Sequence, residues 1–323
     1  MLDRDLKPAG AVTITWNNMP QQIFKSKYPI LEACMNRGST LPLALAVHDA
    51  GGYPSLCSWT YGTNYSLMQA ELNKFVTKTN SNKIQLSFEI EQLSNKDTIV
   101  NIVKSHNIPT IEIIYGLYDS DISSELDAKI KMLLAPVAEL GVKIFKRAIR
   151  PVTQAEMDRY FLTGLCLKGV EAAGYTSNSY TTRQLFDLQR TLTPDALLIP
   201  YGGVGTAGQV KEYIDLGCEM VGVGTVLAFS QEGVIKEETK QAVVKATVND
   251  LSPFEGYADG KQNALKFDAY SETDDKNHSI GLKKALWEKD TTQGHVFVGH
   301  SVEHIREILP CVQIIENLVK DLE

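Results

Sequence analysis

The 323-residue chain has no long hydrophobic run and no excess of basic charge. No stretch approaches the roughly 18 uninterrupted apolar residues that suggest a membrane-spanning helix. The net charge of −7 argues against a nucleic acid or an anionic membrane surface as a partner. The first ten residues lack the apolar core of a secretory signal peptide. The sequence therefore predicts a cytoplasmic protein with no nucleic-acid partner and no membrane partner.

Cysteine and histidine are also few, and their spacing matches no common metal motif. The chain has five cysteines without a CxxC pair, and four of them lie in apolar runs where a reduced, buried thiol is the usual state. Among the six histidines, only His300 and His304 have the spacing of neighbours on a helix, and no third ligand follows from the sequence. We therefore expect a reducing compartment and no metal site.

Short apolar segments alternate with helical patterns through the first two thirds of the chain. Eight strands are predicted, starting near residues 29, 54, 83, 110, 142, 165, 196 and 220. Strict alternation of strands and helices predicts a parallel sheet. Eight such units favour closure into a TIM (β/α)8 barrel over an open doubly wound sheet, which would not usually need eight.

The chain changes character after Ser230. A charged helix is predicted over Lys236–Thr247, followed by the polar segment Asn249–His278. An amphipathic closing helix is predicted over Ser301–Leu322, interrupted at Pro310. A polar segment of this length is uncommon in a compact domain unless it is functional or has structure that local patterns do not reveal.

These patterns predict a division of the chain into a barrel and a lid. Residues 1–235 and 295–323 form the predicted barrel, and residues 236–294 form a lid of helix and loop over the carboxyl ends of its strands. A short strand is also predicted over Ala11–Trp16, before the first strand of the barrel.

Two glycine-bearing turns follow the last two predicted barrel strands. Gly202 and Gly203 follow one strand, and Gly224 and Thr225 follow the next. Glycine lets the backbone approach an anion closely, and the loops after strands 7 and 8 of such barrels often bind phosphate. The alternative is that these glycines only terminate strands. Because the turn occurs twice in consecutive units, we favour a phosphate site.

Five segments of the chain are distinctive: YPILEACMN, HDAGGYPSL, LKGVEAAGY, PYGGVGTAGQVKEYIDLGCEMVGVGT and VGHSVEHIREILP. They resemble motifs of the nitronate monooxygenase family, also called 2-nitropropane dioxygenase-like, and of the related flavin-dependent enoyl-ACP reductases. The fourth is the most specific, since it contains both glycine turns. The resemblance implies a TIM barrel with FMN lying across the carboxyl ends of its strands.

The resemblance also implies which residues contact FMN. Ala33, Cys34 and Met35 would run along the isoalloxazine ring, and Ser87 and Lys168 would be polar flavin contacts. The cofactor residues that the resemblance implies are Ala33, Cys34, Met35, Ser87, Lys168, Gly174, Gly202, Gly203, Gly224 and Thr225.

The chain departs from the family pattern at two positions that bear on catalysis. Tyr175 stands where the family has its catalytic histidine. A tyrosine, with an ordinary pKa near 10, can donate a hydrogen bond or a proton but is a poor base at neutral pH. Lys168 stands where a glutamine is usual, and it could stabilise an anionic reduced flavin. Alternatively, Lys168 is a strand-end lysine paired with Glu171 or with solvent.

Other residues near strand ends are candidates for the site. Glu32, Glu89 and Glu112 could be catalytic or contact the flavin, or they could be solvated loop residues. His300 stands where the family has glutamine, and His48 is interpreted as a helix-end residue beside Asp49. Aromatic residues that could line a pocket or pack at the rim of the core are Trp59, Tyr61, Tyr115 and Tyr180.

The leading functional prediction is an FMN-dependent oxidoreductase that resembles nitronate monooxygenases and acts on a small activated substrate. NAD(P)H is a candidate electron donor, as it would be for an enoyl-thioester reductase. Two alternatives from other classes remain: a flavin- or phosphate-binding barrel without turnover, and a lyase or isomerase of a phosphorylated sugar. The sequence is also compatible with a homo-oligomer.

Overall fold

The structure is a computed structural model that describes residues 23–62, 64–93, 97–117, 122–255, 261–266 and 294–322. The predicted strand Ala11–Trp16 and the end of the predicted lid, residues 267–293, lie outside the described residues.

Eight short strands appear where the sequence predicts them. The barrel strands are β1 (Ile30–Glu32), β2 (Ser55–Cys57), β3 (Gln85–Glu89), β4 (Thr110–Ile114), β5 (Lys143–Ala148), β6 (Gly164–Leu167), β8 (Leu197–Pro200) and β9 (Val221–Val223). Between β6 and β8, the two-residue strand β7 (Gly174–Tyr175) lies outside the barrel sheet. The starts of the barrel strands confirm the eight-strand prediction.

The strand pairing gives a parallel barrel. Strands β2, β3, β4, β5, β6 and β8 form one parallel sheet in that order, and β1 pairs in parallel with β9. A parallel bridge between Leu31 and Tyr53 joins β1 to the start of β2. Between β8 and β9, the ring of Tyr201 fills the interior: a Cβ at position 222 would lie 2.0 Å from its Cδ1, so only glycine fits there. The fold is thus the predicted TIM barrel.

Helices surround the barrel, and several begin at a threonine cap. They are α1 (Leu41–Asp49), α2 (Tyr65–Thr79), α3 (Thr98–His106), α4 (Ser124–Glu139), α5 (Gln154–Arg159), α6 (Thr182–Leu192), α7 (Ala207–Asp215), α8 (Thr225–Ala228), α9 (Glu237–Lys245) and α10 (Cys311–Val319). Thr181 and Thr206 form capping boxes with Gln184 and Gln209, which fix the starts of α6 and α7. Within the described ranges, no helix is long and apolar enough to cross a membrane.

A cluster of aromatic side chains fills the barrel at the amino ends of the strands. The ring of Phe24 packs edge-on against Tyr53 with 5.0 Å between centroids, and it also contacts Phe145. The backbone N–H of Phe24 donates to Oε1 of Glu219 at 2.8 Å, just before β9. Because this end is filled, the open space of the barrel lies at the carboxyl ends of the strands.

A second, antiparallel sheet lies beside the loop that follows β6. It contains β10 (Leu251–Glu255), β11 (Lys261–Lys266) and β12 (His295–Phe297). Strand β11 also pairs with β7, so that Gln262 lies opposite Tyr175 and Asn263 lies opposite Gly174. The prediction of loop was therefore wrong over β10 and β11. The two strands pair with each other although they are close in sequence, and their polar composition gave no strand signal; only the further pairing of β11 with β7 and β12 joins remote segments.

The predicted closing helix is shorter than the sequence pattern indicates. His300–His304 forms a 3-10 helix, and α10 begins only after Pro310, which is its N-cap residue. The residues between these two elements are not helical. Proline lacks an N–H donor and disfavours a helical conformation in the preceding residue, so the helix cannot run through this position.

Candidate functional site

A cavity of about 840 Å³ lies at the carboxyl ends of the barrel strands. Its walls come from the loops after β1, β2, β6, β8 and β9 and from the ends of β3, β4 and β5. The predicted site residues that line it are Ala33, Cys34, Met35, Lys168, Gly174, Tyr175, Gly202, Gly203, Gly224 and Thr225. The structure therefore brings together residues from segments up to about 190 positions apart.

Ser87 is the one predicted cofactor residue that does not line the cavity. Its side chain is buried in β3, and its hydroxyl donates to the sulfur of Cys57 at 3.8 Å. Cys57 itself lines the cavity. Ser87 thus lies one layer behind the wall, and its role as a flavin contact stays a prediction.

The two glycine turns offer a group of unpaired backbone donors at the cavity. Within the described residues, the N–H groups of Gly202, Gly203 and Val204 after β8 have no hydrogen-bond acceptor. The same is true of Gly224 and Thr225 after β9. Unpaired backbone N–H groups that line a cavity favour an anion.

The glycines of these turns are required for different reasons. Gly203 has φ +71°, and a Cβ there would lie 2.9 Å from Cβ of Glu171, so both conformation and packing demand glycine. At Gly224, a Cβ would meet Met35 Sδ at 3.5 Å and Ala33 Cβ at 3.6 Å, which are ordinary contacts. Packing within the protein therefore does not demand a glycine at 224. The absent side chain instead leaves room at the cavity wall.

Glu171 holds the loop after β6 against neighbouring elements. Its carboxylate accepts hydrogen bonds from the backbone N–H and the hydroxyl of Thr182, at 2.9 and 3.0 Å. Its carbonyl accepts from the N–H of His300 at 2.9 Å. The suggested pairing of Lys168 with Glu171 is absent, because Thr182 occupies the carboxylate and Lys168 donates to the carbonyl of Ala173 at 2.8 Å.

Lys168 is a cation of reduced basicity at the cavity wall. Burial lowers the pKa of its ammonium group to about 7, and the nearby positive charge of Arg147 acts in the same direction. Glu112 opposes this shift. At neutral pH, Lys168 can therefore gain or lose a proton in response to a charge that forms beside it.

An ion pair in the barrel interior supports the middle of the cavity. Arg147 donates from Nε and Nη2 to the two oxygens of Glu112, at 2.8 and 2.9 Å, and from Nη2 to the carbonyl of Cys34 at 2.8 Å. Burial opposes the charge of Arg147, but the Glu112 carboxylate outweighs it and raises the pKa of the guanidinium. Sequence analysis missed Arg147. The available signal was a glutamate and an arginine on adjacent strands, which suits a bidentate pair.

Glu89 and Trp59 lie together at another part of the cavity wall. Glu89 ends β3, Trp59 follows β2, and the indole Nε1–H donates to Oε2 of Glu89. Burial raises the pKa of the Glu89 carboxyl to about 7, helped by the negative charge of Glu91 and opposed by Arg147. Of the three glutamates near strand ends, only Glu89 lines the cavity.

Tyr175 lies on β7 and lines the cavity next to Gly174. Its backbone is paired with Gln262 of β11, so the residue is on a short strand rather than in a free loop. The structure thus places Tyr175 at the site together with Lys168 and the glycine turns.

The remaining candidates do not contribute side chains to the cavity wall. Glu32 is the fully buried last residue of β1, and its Oε2 accepts from the N–H of Ser55 at 3.0 Å. His48 pairs with Asp49 at 3.1 Å at the end of α1, as expected. The other residues outside the lining are Glu112, His300, Tyr61, Tyr115 and Tyr180. No group of side chains in the described ranges has the arrangement of a metal site, and all five cysteines are buried, unpaired thiols.

Comparisons with known proteins agree with this geometry. The family model described as nitronate monooxygenase matches residues 17–321. FabK from Thermotoga maritima superimposes with a TM-score of 0.76 at 20% identity, covering 93% of this chain and 94% of that one. Nitroalkane oxidase from Streptomyces ansochromogenes gives a TM-score of 0.71 at 17% identity, covering 92% and 96%.

A third similar structure is the enoyl reductase domain of MlnA from the macrolactin biosynthesis cluster of Bacillus amyloliquefaciens. It superimposes with a TM-score of 0.69 at 12% identity, covering 93% of this chain and 94% of that one. At these identities the structural likenesses show the fold. No curated protein matches the sequence.

Proposed function

The chain belongs to the nitronate monooxygenase family and is an oxidoreductase, and we propose that it uses FMN to oxidise or reduce a small activated substrate. The observation that carries the proposal is the group of backbone N–H groups in the turns after β8 and β9, which line the cavity and have no acceptor among the described residues. This arrangement suits the phosphate of a flavin mononucleotide.

The residues present fit FMN. The cavity of about 840 Å³ lies within the range of about 300–1,000 Å³ that is usual for small-molecule sites. The phosphate would be held by the N–H groups of the two turns, with space for it beside Gly224. The backbone from Ala33 to Met35 would lie along the ring system, since Arg147 fixes the Cys34 carbonyl. FMN, when bound, supplies the electron transfer.

The charged residues of the site favour negative charge in the cavity. Lys168 is held at the wall by its bond to Ala173, and Arg147 lies close enough to lower the pKa of Lys168. An anionic substrate or a reduced, anionic cofactor would raise the pKa of Lys168 and keep it protonated. Lys168 is therefore proposed to stabilise negative charge during turnover, and Tyr175 to donate a hydrogen bond to a substrate oxygen.

A bound flavin is the first property to test. The purified protein should be yellow, and the cofactor released by denaturation should chromatograph as FMN. A colourless protein that does not bind added FMN would contradict the proposal.

Flavin reduction in the absence of oxygen then distinguishes the possible reactions. Bleaching by a preformed alkyl nitronate supports nitronate oxidation. Bleaching by NADH or NADPH, followed by reoxidation with an enoyl thioester, supports an enoyl-thioester reductase instead. A yellow protein that responds to neither would be a flavin-binding barrel without turnover on these substrates.

A further inference from the structure

Glu89 is a carboxylate at the cavity wall with only one of its oxygens engaged. Trp59 donates to Oε2, and Oε1 has no hydrogen-bond partner within the described residues. A carboxylate that lies at a cavity wall, is oriented by one donor and has no partner for its other oxygen in the described part of the chain has the geometry of a proton acceptor for a bound ligand. Trp59 and Ile114, which lies opposite Glu89 on β4, add apolar surface to this part of the wall.

Three titratable residues, on three different parts of the chain, interact electrostatically with Glu89. Glu91 follows it along the chain and disfavours its ionised form, whereas Arg147 on β5 favours that form. Burial raises the pKa of Tyr65 on α2, and the charge of nearby Glu89 adds to that rise. With burial, these groups keep the Glu89 carboxyl near the midpoint of its titration at neutral pH, where a general base is most effective.

Two other titratable residues of the cavity, Tyr175 and Lys168, are less suited to accept a proton from carbon. Tyr175 would have to ionise first, and a phenol has an ordinary pKa near 10. The Nζ of Lys168 already donates to the Ala173 carbonyl and lies beside Arg147, a position suited to stabilising an anion. Glu89 has an available oxygen and a neighbouring cation at the same wall.

We propose that Glu89 is the general base of this site and removes a proton from the carbon next to the nitro or carbonyl group of a small carbon acid. The Cα–H bond breaks, the proton forms an O–H bond with Glu89, and the electron pair moves to the nitro or carbonyl oxygen. No electron leaves the substrate in this step. The assignment rests on the proposed function, and it means that the protein accepts neutral nitroalkanes as well as preformed nitronates.

Exchange of the Cα hydrogens of nitroethane tests the step without requiring oxidation. The protein as purified is incubated without oxygen in D2O with a large excess of nitroethane, and deuterium incorporation is followed by NMR against protein-free buffer. We expect accelerated exchange whose rate rises with pH and levels off above about 7, the pKa of Glu89. Glu89→Gln should lower the protein-dependent rate by about 10²–10⁴-fold.

Two further variants test whether the effect on exchange is specific to the carboxylate at position 89. Glu89→Asp retains a carboxylate and should recover part of the exchange. Glu91→Gln, a matched control two residues away, should retain the exchange with a lower pH midpoint, because it removes the negative charge that raises the pKa of Glu89.

The outcomes separate the base from the oxidoreductase reaction. If Glu89→Gln loses exchange, Glu89→Asp recovers part of it and Glu91→Gln retains it with a lower pH midpoint, the assignment is supported. Exchange no faster than buffer in the parent, or equal exchange in parent and Glu89→Gln, would overturn it. Exchange without flavin reduction by nitronate would leave Glu89 as the base and reject the proposed oxidation.

Discussion

At the scale of single residues, Gly224 gives a cleaner test of the phosphate site than Gly203. A branched side chain at Gly203 would strain a backbone with φ +71° and press on Glu171, so loss of cofactor would have two explanations. At Gly224 a Cβ meets only ordinary contacts, and a larger side chain extends into the space proposed for the phosphate.

We predict that Gly224→Val weakens FMN binding by more than about 100-fold, because it blocks that space and shields the unpaired N–H groups. Affinity can be measured by flavin fluorescence quenching, and folding by thermal unfolding without FMN. Gly208→Val is a matched control, since a Cβ at 208 meets nothing within 4 Å. Unchanged affinity in the Gly224 variant would remove these turns from the cofactor site.

Tyr175 is predicted to act through its hydroxyl. Tyr175→Phe keeps the ring and should leave FMN affinity unchanged while lowering kcat/KM by about 10–100-fold, the effect of losing one hydrogen bond to a charged oxygen. Tyr175→His restores the residue that the family has at this position and should retain more activity than phenylalanine. Equal kinetics in the parent and the Phe variant would assign Tyr175 to the cavity wall alone.

The buried carboxyl of Glu32 should make the stability of the folded protein depend on pH. Burial raises the pKa of its carboxyl to about 8 in the folded protein, from the ordinary value of 4.5. Between these values the folded state binds more protons than the unfolded state, so the free energy of unfolding falls as pH rises, by up to about 1.4 kcal/mol per pH unit. Above pH 8 this contribution becomes constant.

Glu32→Gln removes this titration, and the difference in stability between variant and parent should therefore change steadily from pH 5 to pH 8. Urea unfolding at several pH values measures it, with the variant gaining relative to the parent as pH rises. Parallel curves for the two proteins would contradict the buried, protonated state of Glu32.

At the scale of elements, β11 connects the second sheet to the cavity wall. The Nδ2 group of Asn263 donates to the carbonyls of Val170 and Ala172, at 2.6 and 2.9 Å. These bonds fix the loop that carries Lys168 to Tyr175. The division into a barrel and a lid over residues 236–294 stays a prediction, but β11 gives the predicted lid a direct contact with the site.

Asn263→Ala should cost about 1–3 kcal/mol of stability, since it leaves two carbonyls without their donor. It should also reduce FMN affinity, because the loop that carries Lys168 loses its support. Asn82→Ala is the matched control: its Nδ2 donates to the Asn107 carbonyl at 2.6 Å at an exposed position far from the cavity. If both variants bind FMN like the parent, the second sheet does not support the cofactor site.

Local sequence patterns predict the elements whose signals are local. The starts of the barrel strands and the caps of α6 and α7 follow from apolar segments and from threonines at helix starts. The pairing of Gln262 with Tyr175 joins residues 87 positions apart, and no local pattern contains it. The same holds for the interior pair of Arg147 and Glu112, whose meaning depends on the register of neighbouring strands.

At the scale of the whole molecule, the resemblance to a family located the site better than the physical patterns alone. The glycine turns predicted a phosphate site from first principles, and the structure places both at one cavity. From the sequence, Glu32, Glu89 and Glu112 were equal candidates for the site. Their burial and contacts in the structure distinguish them. Glu32 lies behind the wall, Glu112 is neutralised by Arg147, and only Glu89 faces the cavity.

The pairing of β1 with β9 also has a consequence for synthesis of the chain. Ile30 pairs with Val221, so β1 has no β9 strand to pair with until roughly 190 more residues have been synthesised. At about 5–20 residues per second, this interval lasts about 10–40 s. During it, the hydrogen-bonding edge of β1 is open to other chains. A ribosome stalled before residue 221 therefore holds a barrel that cannot close, and pairing between neighbouring nascent chains competes with folding.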